Sequence, residues 1–188
     1  MAELSRFEKF FVNRRGESSF MKLTGDLESS GVLRIDDKSR VLELGGGNGA
    51  FSSLIYNKFR PASFTLTDYD PDQISLAKET LEKKFGTLPS TFILQQADAR
   101  HLVFENNSFD MVLAHLILHH LGGLEDIFEG LKEVSRVLVP GGAFIYAEFA
   151  HKKEIRAKLT EMGFVISFRK GFHRETVVAI KQNTAGQS

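Results

Sequence analysis

The chain contains no cysteine. Disulfides, cysteine-ligated zinc and thiol nucleophiles are therefore excluded, and a reducing interior suits such a composition. It also lacks a charge excess. Its 24 Lys and Arg residues are balanced by 24 Asp and Glu, so the totals do not point to electrostatic capture of nucleic acid. No apolar run reaches membrane-spanning length, and Glu3, Arg6, Glu8 and Lys9 stand where a secretion signal would be apolar. The expected location is cytoplasmic. Internal repeats and low-complexity stretches are absent too. The 188 residues suffice for one domain that buries roughly 70% of its unfolded surface without covalent staples.

Charge is nevertheless uneven along the chain. Acids outnumber bases from Asp98 to Glu148, and bases outnumber acids from His151 to Lys181. Solvated helix faces account for this simply; a basic rim facing an acidic substrate or partner is the sharper reading.

Apolar segments alternate with amphipathic ones. Strands are predicted at 40–45, 62–68, 91–96, 109–115, 142–149, 164–169 and 175–181, and helices near 48–60, 71–85, 123–138 and 151–162. The middle strands show little polar alternation, as expected for strands buried on both faces. Leu124, Ile127, Phe128, Leu131, Val134 and Leu138 fall on one helical face, and Pro140-Gly141-Gly142 is expected to stop that helix and start the next strand. Strand–helix alternation implies an α/β fold with a parallel sheet. Only five residues, Lys170 to Arg174, separate the last two predicted strands, too few for a parallel crossover, so that pair should be an antiparallel hairpin. Residues 1–30 carry Phe7, Phe10, Phe11, Phe20, Leu23 and Leu27 and are expected to form a helical cap, either over a cofactor cleft or as a layer on the sheet. Residues 31–182 form the expected core, and 183–188 a disordered tail.

The densest signal is Val41-Leu-Glu-Leu-Gly-Gly-Gly-Asn-Gly49. A strand runs into a glycine turn and then a helix, with Glu43, Gly45, Gly47 and Gly49 in an E-x-G-x-G-x-G pattern. Such a turn lets a nucleoside-bearing cofactor approach the backbone closely. Asp68 ends the second strand about 20 residues later, where a carboxylate can bind both ribose hydroxyls. Asp70, before Pro71, is better placed as a helix cap. Asp98 ends the third strand, where it can accept from the exocyclic amine of an adenine.

These segments, with Phe104–Leu121 and Glu133–Gly142, resemble the class I S-adenosylmethionine-dependent methyltransferases, in particular the small-molecule branch that includes the ubiquinone/menaquinone C-methyltransferases. The resemblance covers residues 39–149. It implies a Rossmann-like, doubly wound, seven-stranded sheet with six parallel strands and one antiparallel. It implies S-adenosyl-L-methionine as cofactor and S-adenosyl-L-homocysteine as product. Gly45, Gly46, Gly47 and Gly49 would line the methionine part, Glu43 would order the loop, Asp68 would hold the ribose with Tyr69 beside the adenine, Asp98 and Ala99 would bracket the adenine edge, and His115 would contact the cofactor near its sulfonium.

A catalytic residue need not exist, because alignment alone supplies much of the acceleration of a methyl transfer. If one does, His115, His119 and His120 are the first candidates; the alternative for the last two is structural packing beneath the loop with hydrogen bonds to backbone. A three-histidine metal site lacks a supporting carboxylate, so no metal is expected. Glu148 reads better as a cap for the helix at 151–162 than as a ligand for a cationic substrate. Ala114-His115-Leu116-Ile117 replaces the Asn/Asp-Pro-Pro-aromatic segment of amino-group methyltransferases, and Phe10, Phe11, Phe20, Phe149 and Phe172 are either core or the wall of an aromatic or apolar acceptor site. The expected partner is a small-molecule acceptor, not nucleic acid, and the chain is expected to be a monomer or homodimer. Gly45, Gly47 and Ala50 also satisfy the G-x-G-x-x-A of nicotinamide enzymes, which is the rival enzymatic reading. A protein that binds S-adenosylmethionine without turning it over is a third.

Overall fold

The computed structural model describes Lys22, Gly25 and residues 36–170 and 174–183. The expected cap over 1–30, with Phe10, Phe11 and Phe20, therefore lies outside the described residues except at Lys22 and Gly25. Phe172 and tail residues 184–188 lie outside them too.

Seven strands form one sheet: β1 (Arg40–Leu44), β2 (Ser63–Asp68), β3 (Phe92–Gln96), β4 (Phe109–His115), β5 (Leu138–Glu148), β6 (Phe164–Lys170) and β7 (Glu175–Lys181). Their order is β3-β2-β1-β4-β5-β7-β6. The first five pair in parallel. β7 is antiparallel to both β5 and β6, so β6 runs with the parallel set and β7 alone is reversed. The four-residue link between β6 and β7, residues 171–174, leaves no alternative to a hairpin.

Among the described residues from 36 on, four α-helices cover the sheet: α1 (Ala50–Phe59), α2 (Pro71–Phe85), α3 (Leu124–Val137) and α4 (Lys152–Glu161). Alternation along each strand sorts side chains onto two faces. Val41, Met111, Leu113 and Ile145 pack with Phe51 and Ile55 of α1 and Ala77 and Leu81 of α2. Leu42, Leu44, Val112, Phe144 and Tyr146 pack with Ile127, Leu131 and Val134 of α3 and Ile155 and Leu159 of α4. The apolar stripe predicted for the third helix is thus the stripe that is buried. Pro71 opens α2 at its first position, and Asp70 accepts the Asp72 N–H at 2.9 Å, so the cap assigned to Asp70 is present.

One boundary differs from expectation. Pro140-Gly141-Gly142 does not separate helix from strand. β5 begins at Leu138, directly where α3 ends, and the Pro-Gly-Gly segment lies inside it. Phe109 pairs with Leu138, but Met111 already pairs with Ala143. Proline has no N–H for the ladder, so within a strand it sits where pairing is interrupted, and here the chain passes it as a bulge.

β1 lies between β2 and β4. The chain builds outward from β1 to β3, then returns to the other side of β1 with β4. That reversal leaves a crevice at the carboxyl ends of β1 and β4, the usual ligand position in such sheets.

Candidate functional site

The loop after β1 turns on left-handed glycines at 45, 47 and 49, with φ of 63°, 53° and 73°. Crowding explains the first. A Cβ on Gly45 would lie 2.4 Å from Ile117, which follows β4, so the two loops meet there without a side chain between them. A Cβ on Gly47 would find only Gln73 Oε1, at 3.8 Å, so the loop presents bare backbone to open space.

The loop is held from β2. The Gly46 N–H donates to the Thr67 carbonyl at 2.9 Å. Asp68 Oδ2 accepts the Gly47 N–H at 2.9 Å, and its Oδ1 accepts the Asp70 N–H at 3.0 Å. Behind the loop, Glu43 is buried and accepts the hydroxyl of Ser52 from α1. Burial pushes its carboxyl up to about 7; the Ser52 hydrogen bond opposes the shift and the nearby Asp68 adds to it.

A cleft of about 660 Å³ opens in front of this loop, within the usual range for small-molecule sites. Gly45, Gly47, Asp68, Tyr69, Asp98, Ala99 and His115 line it, which brings together seven of the ten residues assigned to the cofactor from sequence. Glu43, Gly46 and Gly49 are not in its wall. Glu43 ties β1 to α1, while Gly46 and Gly49 pack against Leu66 and Leu81.

Asp98 is engaged by Arg100. The guanidinium donates to its two oxygens at 3.0 and 2.7 Å, and the Arg100 N–H donates at 2.9 Å. These bonds hold the Asp98 carboxyl below its ordinary value. Arg100 also reaches Asp126 at 3.2 Å, fastening the β3 end to the start of α3. Arg100, Gln73, Ile117 and Leu121 line the cleft and were not foreseen. Only the Asp98–Arg100 pairing, two residues apart, left a local trace in the sequence.

After β4 the chain turns sharply. Leu116 has φ of 59°, a left-handed conformation that costs a residue with a side chain about 1 kcal/mol or more. Its N–H is anchored to the Ala147 carbonyl at 3.0 Å. The 3₁₀ turn Leu118–His120 follows, and this is where the three histidines part company. His115 stacks on Phe51 at 4.7 Å; burial, helped by the Arg174 charge and opposed by Glu148, pushes its pKa down to about 4. His120 is exposed and lines the cleft; burial and the neighbouring His119 lower its pKa. The His119 Nδ1 lies 2.9 Å from a carboxylate oxygen of Glu148.

That last contact corrects two expectations. His119 is bound to a side chain, not only to backbone. Glu148 does not cap the helix at 151–162: the N-cap of α4 is His151, with no side-chain cap bond, while Glu148 accepts the N–H groups of Phe149 and Ala150 upstream of it. Phe149, the described member of the aromatic set, is half exposed and packs against His119 with the rings tilted by 49° and their centroids 4.3 Å apart. Among the described residues, no group of three His, Asp or Glu is arranged to hold a metal, and no helix is long and apolar enough to cross a membrane.

The profile of a methyltransferase domain matches residues 42–146, more than half of the chain. The chain is 36% identical over 116 residues to a fatty-acid O-methyltransferase of Mycolicibacterium smegmatis, covering 62% of this chain and 39% of that protein. It is 35% identical over 113 residues to a ubiquinone/menaquinone biosynthesis C-methyltransferase of Bartonella quintana, covering 60% and 42%. It thus spans about two fifths of the length of these curated relatives. Among solved structures, the YcgJ protein of Bacillus subtilis superposes with a TM-score of 0.71 at 14% identity, over 90% of this chain and 99% of that one, which is a likeness of fold.

Proposed function

The chain belongs to the methyltransferase domain family, and from that premise we propose that it transfers the methyl group of S-adenosylmethionine to a small-molecule acceptor. The observation that carries this reading is the Asp68 carboxylate in the cleft wall, already hydrogen-bonded to the glycine loop through Gly47. A carboxylate oxygen has more than one acceptor site, so Asp68 can take ribose hydroxyls and keep the loop in place.

The residues fit the cofactor. Bare backbone at Gly45 and Gly47 faces the methionine portion. Asp68 would bind the ribose, and Tyr69, exposed and in the cleft wall, would take the adenine side. Asp98 and Ala99 take the adenine edge, with Arg100 fixing the orientation of Asp98. His115, held neutral at pH 7 by its low pKa, adds no positive charge to a cleft that takes a cation. When bound, S-adenosylmethionine supplies a methyl group on a sulfonium, a leaving group that needs no acid. The chain's main task is then alignment, and an oriented, unimolecular arrangement can supply about 7–11 kcal/mol.

The relatives' names, a fatty-acid O-methyltransferase and a ubiquinone/menaquinone biosynthesis C-methyltransferase, support a small-molecule acceptor here. So does the balanced charge, which gives nucleic acid no general attraction.

Isothermal titration with S-adenosylmethionine, S-adenosylhomocysteine and NAD tests the reading. Micromolar binding of both adenosyl compounds with NAD silent is expected; binding of NAD alone would overturn it. Binding of the adenosyl compounds without transfer to any acceptor would leave a cofactor-binding protein rather than an enzyme.

A further inference from the structure

Arg100 is a full cation in the wall of a cleft that is to take a sulfonium. A tight turn folds its side chain back: the His101 N–H donates to the Asp98 carbonyl at 2.9 Å, and the two residues pair as a short antiparallel bridge. The guanidinium then forks Asp98, with Nε 3.0 Å from one oxygen and Nη2 2.7 Å from the other. Its Nη1 donates to Asp126 at 3.2 Å and to the Leu121 carbonyl at 3.4 Å. Asp126 is itself fixed, because its other oxygen accepts the Gly123 N–H at 3.1 Å where α3 begins. The cation is thus neutralised between two anchored carboxylates, and forked bonds of this kind set orientation as well as charge.

The fork pins the Asp98 carboxylate and keeps it ionised, since the bonds from Arg100 lower its pKa against the effect of burial. An ionised carboxylate only accepts. It pairs with a 6-amino group on a purine, whereas a 6-oxo group brings a second acceptor against it. A free carboxylate could turn to the N1–H of a 6-oxo purine; a pinned one cannot, and Arg100 cannot swing round to the oxo group without leaving both acids. The side chain is also a partition. It lies in the wall of the cofactor cleft and in that of a second cavity, about 510 Å³, set against Glu129 and Glu133 of α3. A substituent on the 6-amino group therefore meets the guanidinium instead of open space.

Resting on the methyl-transfer reading above, with the adenine edge at Asp98, we propose that Arg100 is a specificity-determining residue of the cofactor site. It restricts the site to purine nucleosides with a free 6-amino group and rejects both 6-oxo and 6-alkylamino purines. Rejection of the oxo group is electrostatic: an acceptor left facing another acceptor carries a large penalty. Rejection of the alkylamino group is steric. The two parts are separable, because an uncharged side chain of similar length loses the first and keeps the second, and a short side chain loses both.

The test is calorimetry on the full chain with S-adenosylhomocysteine, S-inosylhomocysteine and N6-benzyl-S-adenosylhomocysteine. Wild-type protein should bind each analogue at least about 50-fold more weakly than S-adenosylhomocysteine. Arg100→Met should cut the penalty on the inosyl compound at least about fivefold and leave that on the benzyl compound in place; Arg100→Ala should cut both by at least about as much. These are ratios within one variant, so a general loosening of the site, which weakens all three ligands together, does not move them. A smaller wild-type preference over either analogue, unchanged ratios in the variants, or loss of all binding in both variants would each overturn the proposal. Failure of the wild-type protein to bind S-adenosylhomocysteine would instead overturn the methyl-transfer reading.

Discussion

Two carboxylates at the glycine loop do different work because one is buried and the other is not. Asp68 is partly exposed and faces the cleft. Its replacement by alanine removes both the ribose acceptor and the bond to Gly47, and should weaken S-adenosylmethionine binding at least about tenfold, or about 1.4 kcal/mol, by calorimetry. Glu43 faces Ser52 in the interior and acts on stability. Its folded pKa, about 7, exceeds its ordinary 4.5, so the folded state holds the proton more tightly. Its contribution is then fully present below pH 4.5 and is lost as pH rises towards 7. Asp98, Asp110, Glu133 and Glu148 are shifted the other way, so their effects fall below pH ~4.5. His115 and His120, whose pKa values are lowered, gain stability over the same range, so the readout is the difference: on going from pH 5 to pH 8 in urea unfolding, Glu43→Gln should lose markedly less stability, or gain markedly more, than wild type; equal changes would clear Glu43 of the effect.

Elements were legible where the information is local. The apolar stripe of α3 gave its buried face because Ile127, Leu131 and Val134 recur at helical spacing. All three are fully buried, and Leu131→Ala should cost about 2–5 kcal/mol of stability in denaturant unfolding. A cost under about 1 kcal/mol would mean that α3 packs loosely on the sheet. The glycine turn and Asp68 were equally legible, because a strand, a turn and the next strand end lie within 30 residues. The start of β5 was not. Pro-Gly-Gly normally punctuates elements, and only the pairing of Leu138 with Phe109, a partner on another strand, makes it a bulge.

At the scale of the molecule, long-range pairs close the site and bind the strands. Arg40 of β1 donates to Asp110 of β4 through its backbone N–H and its guanidinium, at 2.7, 3.0 and 3.1 Å. Arg100 meets Asp126, and His119 meets Glu148. None of these could be read from spacing. The partners are 70, 26 and 29 residues apart, and each meeting depends on strand register. His115 opposes Ala147, which sets the turn after β4 against the end of β5 and brings His119 to Glu148.

Alternation of strand and helix, the glycine turn, the acid at the second strand end and the short final link were enough to establish an α/β sheet with a terminal hairpin and a nucleoside-type cleft, because those patterns follow from backbone geometry over a few residues. Which side chains face one another across that cleft required the folded sheet. A buried carboxylate's partner is chosen by register and packing between distant strands, and a one-residue slip in that register would turn Glu148 away from His119.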